Sequence, residues 1–326
     1  MKNNAPTMKD VAAEAGVALG TVSKVFNGIP VGEPYRRKVE EAALKLGYRV
    51  NHYARGMRTN RTGTIAVIIP VLDHPYFACL TEELILNLAA KGYRALIGVT
   101  KRDLTIEARC IQMVREQKAD GIIALTYKPD LEEIGDIPFV SIDRAFEGVP
   151  CVTSDNFAGG RMAAARLIEL GAKKLLYLRT GSNVPGETDK RGYGFEDYAR
   201  TAGIPCLSIR ENTEVYATAI KPHLDRMIEQ GSFDYDGIFC STDKLAYEVC
   251  AYLRQRNYRI PEDIQIIGFD GLYDFFSEER MVSTIIQDVE GIARTTVEVL
   301  FDISNGRRPS LVCLPVTYGK GPTTRD

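Results

Sequence analysis

Two rhythms of apolar residues divide this chain. Within residues 1–50 the rhythm is helical and the runs are short. Met8, Val11, Ala12 and Ala15 share one face of a predicted helix that Gly16 ends. Its start, Thr7-Met8-Lys9-Asp10, is a capping-box pattern, a hydroxyl followed three residues on by a carboxylate. After the tight Ala15-Gly16-Val17 turn, a second helix opens near Leu19, turns Val22, Val25 and Phe26 inward and closes at Asn27-Gly28. Its outward positions, Leu19, Gly20, Ser23 and Lys24, are nearly bare. A third helix starts near Pro34, a favoured first-turn residue, and aligns Val39, Ala42, Ala43 and Leu46 before Gly47. Such a trio is either a small structural bundle or a helix-turn-helix reader of DNA.

From Thr64 onward the rhythm changes to short β-branched runs separated by longer amphipathic stretches. The runs are "TIAVIIP", "RALIGVT", "DGIIALT" and "IPFVSID", then "KKLLYLR", "CLSIRE", "DGIFCST" and "IQIIGFD". Strand-helix alternation of this kind predicts parallel sheets covered by helices on both faces. The second set echoes the first: Asp120-Gly121-Ile122-Ile123 returns as Asp236-Gly237-Ile238-Phe239. The predicted body is therefore two doubly wound parallel-sheet α/β lobes. Its ligand site belongs in the cleft between them, at the C-terminal ends of the strands.

Reading those strand ends gives a short polar set. Asp73, His74 and Tyr76 follow the first strand, Asp143 and Arg144 the fourth. Ser241, Thr242 and Asp243 follow the third strand of the second lobe, and Asp270 ends its fourth. Arg191 lies in the loop "SNVPGETDKRGYGF". Carboxylates, a guanidinium and an aromatic edge are what a polyhydroxylated or nucleoside ligand needs. Asp243 and Asp270 also fit ordinary helix caps; Asp243, and Asp155 and Asn156 in "SDNFAGG", are assigned mainly to that structural role.

Charge decides between the two readings of the head. The net charge of the 326-residue chain is −2, yet residues 1–61 carry eleven Lys/Arg against five Asp/Glu, leaving +6 there and −8 on the remainder. A basic head on an acidic body points to a polyanion partner for the head alone. The length calls for two or three domains. Seven cysteines, without a CxxC pair or partner histidines, read as small buried residues in a reducing cytosol. No apolar run is long enough to cross a bilayer, and the N-terminal residues lack the apolar core of a secretion signal, so a cytoplasmic protein is expected. There is no phosphate loop, no G-x-S-x-G and no H-E-x-x-H, and Gly192-x-Gly194 lacks the third glycine of a dinucleotide fingerprint. No catalytic residue, metal site or cofactor is expected. The other rival, a solute receptor working outside the membrane, has no use for the basic head.

The segment "MKDVAAEAGVALGTVSKVFNG" resembles the head of the LacI/GalR (lactose/galactose repressor) family of bacterial transcription regulators. Asp10-Val11-Ala12, Ala15-Gly16-Val17, Thr21-Val22-Ser23-Lys24-Val25 and Asn27 fall at that family's spacing. The likeness continues through "HPYF", "SIDR", "DNFAGG", "RGYGF", "TDKLA", "PEDIQIIGFD" and "STIIQD", in order. It implies a periplasmic-binding-protein-like body. It further implies that Ala18, Leu19, Gly20 and Lys24 face bases, while Thr7, Thr21, Ser23, Asn27 and Tyr48 touch phosphates. Asn51, Ala54, Arg55 and Met57 would belong to a hinge helix that enters the minor groove, with Met57 as the wedge. Effector contacts carry over to Tyr76, Asp143, Arg191, Thr242 and Asp270, beside Asp73, His74 and Arg144 from the strand ends. This chain departs from the family pattern in several places. Ala18 stands where serine is frequent, Lys24 where arginine is, Met57 where leucine is, and Thr242 where asparagine is.

The expected organisation is a helix-turn-helix domain at 1–50, a hinge at 51–62, and an effector-binding and dimerisation body at 63–326. Its first lobe would be about 63–157 plus 289–313, and its second 158–288 plus 314–326. The expected function is a repressor that binds a near-palindromic double-stranded operator and is controlled by a sugar, sugar derivative or nucleoside. No leucine heptad follows the body, so a homodimer is expected.

Overall fold

The computed structural model describes residues 6–26, 29–48, 62–125, 131–182, 184–213, 215–273, 279–306 and 311–325. Asn27, Asn51, Ala54, Arg55 and Met57 lie outside them. The chain forms two compact units, Met1–Thr62 and Gly63–Asp326.

The head is three helices, α1 (Met8–Ala15), α2 (Leu19–Phe26) and α3 (Glu33–Leu46). At its start the Thr7 backbone N–H and hydroxyl both donate to the Asp10 carboxylate at 2.7 Å. Gly16 and Gly47 each end a helix at φ 62°, the left-handed cap that a Cβ disfavours. Val11, Ala12, Ala15, Val22, Val39, Ala42 and Ala43 form the core, with Met8, Val25, Phe26 and Leu46 packed against it. So small a core gains from the ion pair between Lys45 of α3 and Glu14 of α1, 2.5 Å apart.

The body is two α/β lobes. The first begins β1 (Thr64–Ile69), α4 (Pro75–Ala90), β2 (Arg94–Val99), α5 (Leu104–Glu116), β3 (Gly121–Ala124), α6 (Leu131–Ile134), β4 (Phe139–Ile142) and β5 (Cys151–Ser154). The chain then crosses into the second lobe as α7 (Asn156–Glu169), β6 (Leu175–Thr180) and α8 (Lys190–Thr201). That lobe continues through β7 (Cys206–Glu211), α9 (Tyr216–Ala219), α10 (Lys221–Glu229), β8 (Gly237–Cys240), α11 (Asp243–Gln255), β9 (Gln265–Asp270) and β10 (Ser283–Ile286). It returns as α12 (Val289–Ser304) and β11 (Leu311–Leu314), and crosses a third time to β12 (Thr317–Gly319).

One sheet has the order β11-β5-β4-β3-β1-β2 and the other β12-β10-β9-β8-β6-β7. All neighbours are parallel except β12, which runs antiparallel to β10 because it follows a third crossing and not a covering helix. The eight β-branched runs are the strands β1 to β4 and β6 to β9; the four missed by periodicity are three or four residues long. The crossings fall at Asp155, Gln287-Asp288 and Pro315-Val316. The first sheet therefore takes in Ser154 at the end of β5 and Leu314 at the end of β11.

The internal echo has a physical basis. The Asp120 carboxylate accepts the Gly63 N–H at 2.7 Å, anchoring the start of β1. Asp236 accepts the N–H groups of Lys173 and Lys174 at 2.8 Å, anchoring the start of β6. Both aspartates thus satisfy the backbone groups that a parallel strand leaves open where it begins. Both sheets are buried on both faces. Val67, Leu84 and Val297 lie on one face of the first sheet and Ile68, Val114 and Ile122 on the other. Leu178, Val249 and Ile266 face Tyr177, Phe195 and Phe239 across the second sheet.

Candidate functional site

Between the lobes, at the C-terminal ends of β1, β4, β6, β8 and β9, lies a cleft with a volume of about 340 Å³. That is at the small end of ligand pockets, which run roughly 300–1,000 Å³. Asp73, His74, Tyr76, Asp143, Arg144, Arg191, Thr242 and Asp270 all line it.

Arg191, in the first turn of α8, is the centre of the site. Its Nε donates to Asn156 Oδ1 at 2.7 Å, and one terminal nitrogen donates to the Ser241 carbonyl at 2.6 Å. The same nitrogen lies 3.7 Å from Asp270 Oδ1, and the guanidinium plane sits 3.6 Å above the centre of the Phe269 ring. Phe269 thus gives the charge a quadrupolar face, with the Asp270 carboxyl beside it.

Asp143 and Asp270 occupy positive-φ conformations, 59° and 138°, at the ends of β4 and β9. Backbone strain of this kind in non-glycine residues collects at functional sites. Burial pushes both carboxyls above their ordinary range, Asp270 well above, with Arg191 pulling the other way. Burial likewise pushes the Asp243 carboxyl up to about 6. His74 is pushed down to about 4, first by burial and then by the charges of Lys244 and Arg102, so it is a neutral imidazole at pH 7.

Among the described residues, four buried polar atoms around this cavity have no hydrogen-bond partner in the protein: His74 Nδ1, Tyr76 Oη, Ser241 Oγ and Asp270 Oδ2. A buried polar atom left unpaired costs about 1–3 kcal/mol. Their convergence on one cleft, alongside Phe77, gives a set of donors and acceptors with an aromatic wall. That set can match a compact ligand bearing several hydroxyl groups.

Two polar chains run from the cleft through the crossings. In one, the Thr153 hydroxyl donates to Asp143 Oδ1 at 2.7 Å, Asn156 Nδ2 donates to Thr153 Oγ1 at 2.9 Å, and Asn156 accepts from Arg191. In the other, the Ser154 hydroxyl donates to Gln287 Oε1 at 2.8 Å and Gln287 Nε2 donates to Asp270 Oδ1 at 2.9 Å. Direct bonds between lobes add to these: Arg144 donates to the Val184 carbonyl at 2.5 Å, and the Glu187 N–H to the Asp143 carbonyl at 3.1 Å. Asp143 and Asp270, which line the cleft, therefore also take part in the bonds that join the lobes.

Asp155 caps α7, accepting the Ala158 N–H at 2.9 Å, but the Asn156 side chain does not cap. It bridges Thr153 and Arg191 instead, a correction to its expected role. Asp243 is structural, accepting the Gly271 and Leu272 N–H groups at 2.9 and 2.8 Å. Thr242 lines the cleft and caps α11 through the Leu245 N–H at 3.2 Å. Arg102, Arg179, Lys244 and Glu248 also line the cleft and were not read from the sequence. Arg102 follows β2 and Arg179 is the penultimate residue of β6, so both stand at strand ends of the same rim.

In the head, α2 buries Val22 and exposes Leu19, Gly20 and Lys24, with Thr21 and Ser23 half-buried. Ala18 is exposed just ahead of them, and a side chain added at Gly20 would meet open space. Thr7 is exposed, with its hydroxyl engaged by Asp10. The half-buried Tyr48 ring lies 5.3 Å from that of Phe26. Ala18 stands at the N-cap of α2, its carbonyl accepting the Thr21 and Val22 N–H groups, with no side-chain oxygen to cap the helix. Ala18→Ser is expected to stabilise the head by about 1 kcal/mol. Slower amide exchange in α2 would show it; unchanged exchange would mean the first-turn amides already have partners.

A helix-turn-helix head with a bare, exposed second helix, joined to a two-lobed body with a polar cleft, defines a ligand-responsive DNA-binding regulator. Residues 7–51 match the bacterial regulatory proteins of the lacI family, and residues 164–318 match the periplasmic binding protein-like domain. The chain is 31% identical to the ribose operon repressor of Bacillus subtilis (strain 168), over 98% of each protein. Among solved structures, the lac repressor dimer bound to operator and the anti-inducer ONPF has the same fold, with a TM-score of 0.85 at 21% identity, over 98% of this chain and 99% of that one. A periplasmic binding protein/LacI transcriptional regulator from Alkaliphilus metalliredigens QYMF, complexed with D-xylulofuranose, is similar with a TM-score of 0.72 at 28% identity, over 81% of this chain and 100% of that one. This chain belongs to the LacI/GalR family of DNA-binding transcription regulators.

Proposed function

We propose that this protein is a cytoplasmic repressor that binds a near-palindromic operator as a homodimer and is controlled by a small polyhydroxylated effector, a sugar, sugar derivative or nucleoside, in the inter-lobe cleft. The observation that carries the reading is the convergence of four unpaired buried polar atoms on a cleft that Arg191 lines. The name of the ribose operon repressor and the D-xylulofuranose of the solved relative support the sugar class. The dimer bound to operator in the solved lac repressor supports the two-fold assembly. In this chain α4 exposes Ile85 and Leu86 beside β2, the edge strand of its sheet, an apolar face suited to a second copy.

In the head, Lys24 and Leu19 give modest base readout, a donor for guanine and an apolar contact for a thymine methyl. Ala18 and Gly20 lie against bases without reading them by a polar group. Thr7, Thr21, Ser23, Asn27 and Tyr48 fix the register on phosphates. Asn51, Ala54, Arg55 and Met57 carry the signal to the minor groove. Ligand in the cleft changes the lobe angle through the Asp143–Thr153–Asn156–Arg191 chain and so the spacing of the two heads. Linkage permits either sign of response.

The test is operator binding by the full chain at fixed salt, using DNA from upstream of its own gene, with ribose, sucrose, other sugars and nucleosides added in turn. One of them should raise the thermal midpoint of the protein and change operator affinity by about 5–150-fold. A protein that binds no duplex from that region, or whose operator affinity no ligand moves, would sink the proposal.

A further inference from the structure

Asp270 ends β9 against the cleft, and its two carboxyl oxygens have different surroundings. Oδ1 accepts the Gln287 Nε2–H at 2.9 Å, while the buried Oδ2 has no partner within the protein. Arg191 does not complete the set. Its short bonds go to two neutral acceptors, Asn156 Oδ1 and the Ser241 carbonyl. It stands 3.7 Å from Asp270 Oδ1, beyond the roughly 2.7–2.9 Å of a charge-assisted hydrogen bond. An ionised Asp270 would therefore be a buried anion held by one hydrogen bond from a neutral amide.

Its neighbours add to that cost. The groups that face it are Arg191 from α8, Asp243 from α11, Asp143 from the end of β4, Tyr76 from α4 and Gln287 from the second crossing. Two of them are acids, and Asp143 and Asp270 share the field of the one guanidinium. A buried carboxyl without full compensation keeps its proton. Gln287 decides which oxygen carries it. The Ser154 hydroxyl donates to Gln287 Oε1 at 2.8 Å, so the amide turns Nε2 toward Asp270. The Gln287 backbone N–H also donates to the Asp270 carbonyl at 3.4 Å, tying the strained Asp270 backbone, φ 138°, to the same residue. With Oδ1 engaged as an acceptor, the proton belongs on Oδ2.

We propose that Asp270 is a neutral carboxylic acid whose Oδ2–H faces the effector, and that Gln287 is the positioning residue that places the proton there. This rests on the reading of the cleft as the effector site and adds the chemistry of one contact. The effector meets a donor at Asp270 and must offer an oxygen that accepts, whether of a hydroxyl, a ring or an ether. Ionisation removes the donor, so effector affinity falls as the pH rises through the Asp270 pKa.

The experiment begins with the ligand-free full chain. The infrared difference between the natural protein and Asp270→Asn at pH 7 should contain the C=O band of a protonated carboxyl. That band should shift in Gln287→Met, where Oδ1 loses its N–H. Denaturant unfolding gives a second readout. A carboxyl that keeps its proton in the folded state and loses it in the unfolded one weakens the fold as the pH rises. Asp270→Asn should thus gain on the natural protein by up to about tenfold in folding constant per pH unit between pH 5 and pH 7. Ribose, sucrose and adenosine are then added as probes, and any that raises the thermal midpoint should shift the band. No protonated band, or a gain that does not grow with pH, overturns the acid. A band unmoved in Gln287→Met overturns the positioning role, and one that a bound probe leaves unmoved overturns the contact. If no probe raises the midpoint, the effector reading and the contact fall together, while the band still decides the state of Asp270.

Discussion

Gly160→Ala should lower the thermal midpoint of the body by roughly 6–12 °C, the counterpart of about 3 kcal/mol, and should weaken the effector response as well. A Cβ on Gly160 of α7 would lie 1.9 Å from the Arg191 carbonyl oxygen and 2.8 Å from the Phe195 amide nitrogen of α8. The same contact is built from the other side, where a Cβ on Gly194 would lie 2.0 Å from the Phe157 carbonyl oxygen. These obstacles are backbone, so relief requires the two helices to separate. Separation moves Arg191 away from Asn156, whose bond at 2.7 Å links the cleft to the first crossing. Calorimetry of Gly160→Ala and Gly194→Ala reads the stability, and the effector-induced shift in midpoint reads the site. Unchanged midpoints in both variants would show that the helices can part freely and that this contact does not position Arg191.

These glycines show how the sequence discloses a site and withholds its reasons. "DNFAGG" and "RGYGF" stand out as motifs, and Gly192-x-Gly194 can be dismissed as a dinucleotide fingerprint from spacing alone. That Gly160 and Gly194 exist to let two helices touch requires the fold, because the contact joins segments that no local pattern relates. His74, Asp143 and Asp270 were legible for the opposite reason. Asp143 and Asp270 stand at the ends of β4 and β9, and His74 lies in the loop that follows β1. Their β-branched runs identify β1, β4 and β9 as strands, and a parallel sheet directs every strand end to one rim. The hydrogen bonds that run through the crossings were not legible. Ser154 and Gln287 hydrogen-bond across 133 residues of sequence. They follow β5 and β10, and their contact joins the ends of two strands that belong to different sheets. Asn156 looks like a helix cap locally, and its actual partners, Thr153 and Arg191, become visible only once two lobes have been assembled around it.

Arg191→Met should destabilise the body by about 3–5 kcal/mol at pH 8 and abolish the effector response. Arg191→Ala should behave similarly, with a cavity in addition. The guanidinium is buried and serves Asn156, the Ser241 carbonyl and Asp270 at once, so its removal leaves buried acceptors unpaired. It also leaves Asp143 and Asp270 without the charge that now holds their raised pKa values down. In the variant those values climb further. A carboxyl whose folded-state pKa exceeds its unfolded value contributes stability that is complete below the unfolded pKa and is lost as the pH rises through the folded one. His74 responds in the same direction, since Arg191 is among the charges that lower its pKa. The deficit of Arg191→Met relative to the natural protein should therefore be largest at pH 8 and shrink as the pH falls toward 5. Arg191→Lys, which keeps the charge and loses the planar fork, should show a smaller deficit with little pH dependence. Denaturant unfolding of the three proteins at pH 5 and pH 8 separates the electrostatic contribution from the packing one. A deficit of equal size at both pH values would mean that Asp143 and Asp270 do not depend on Arg191 for their charge.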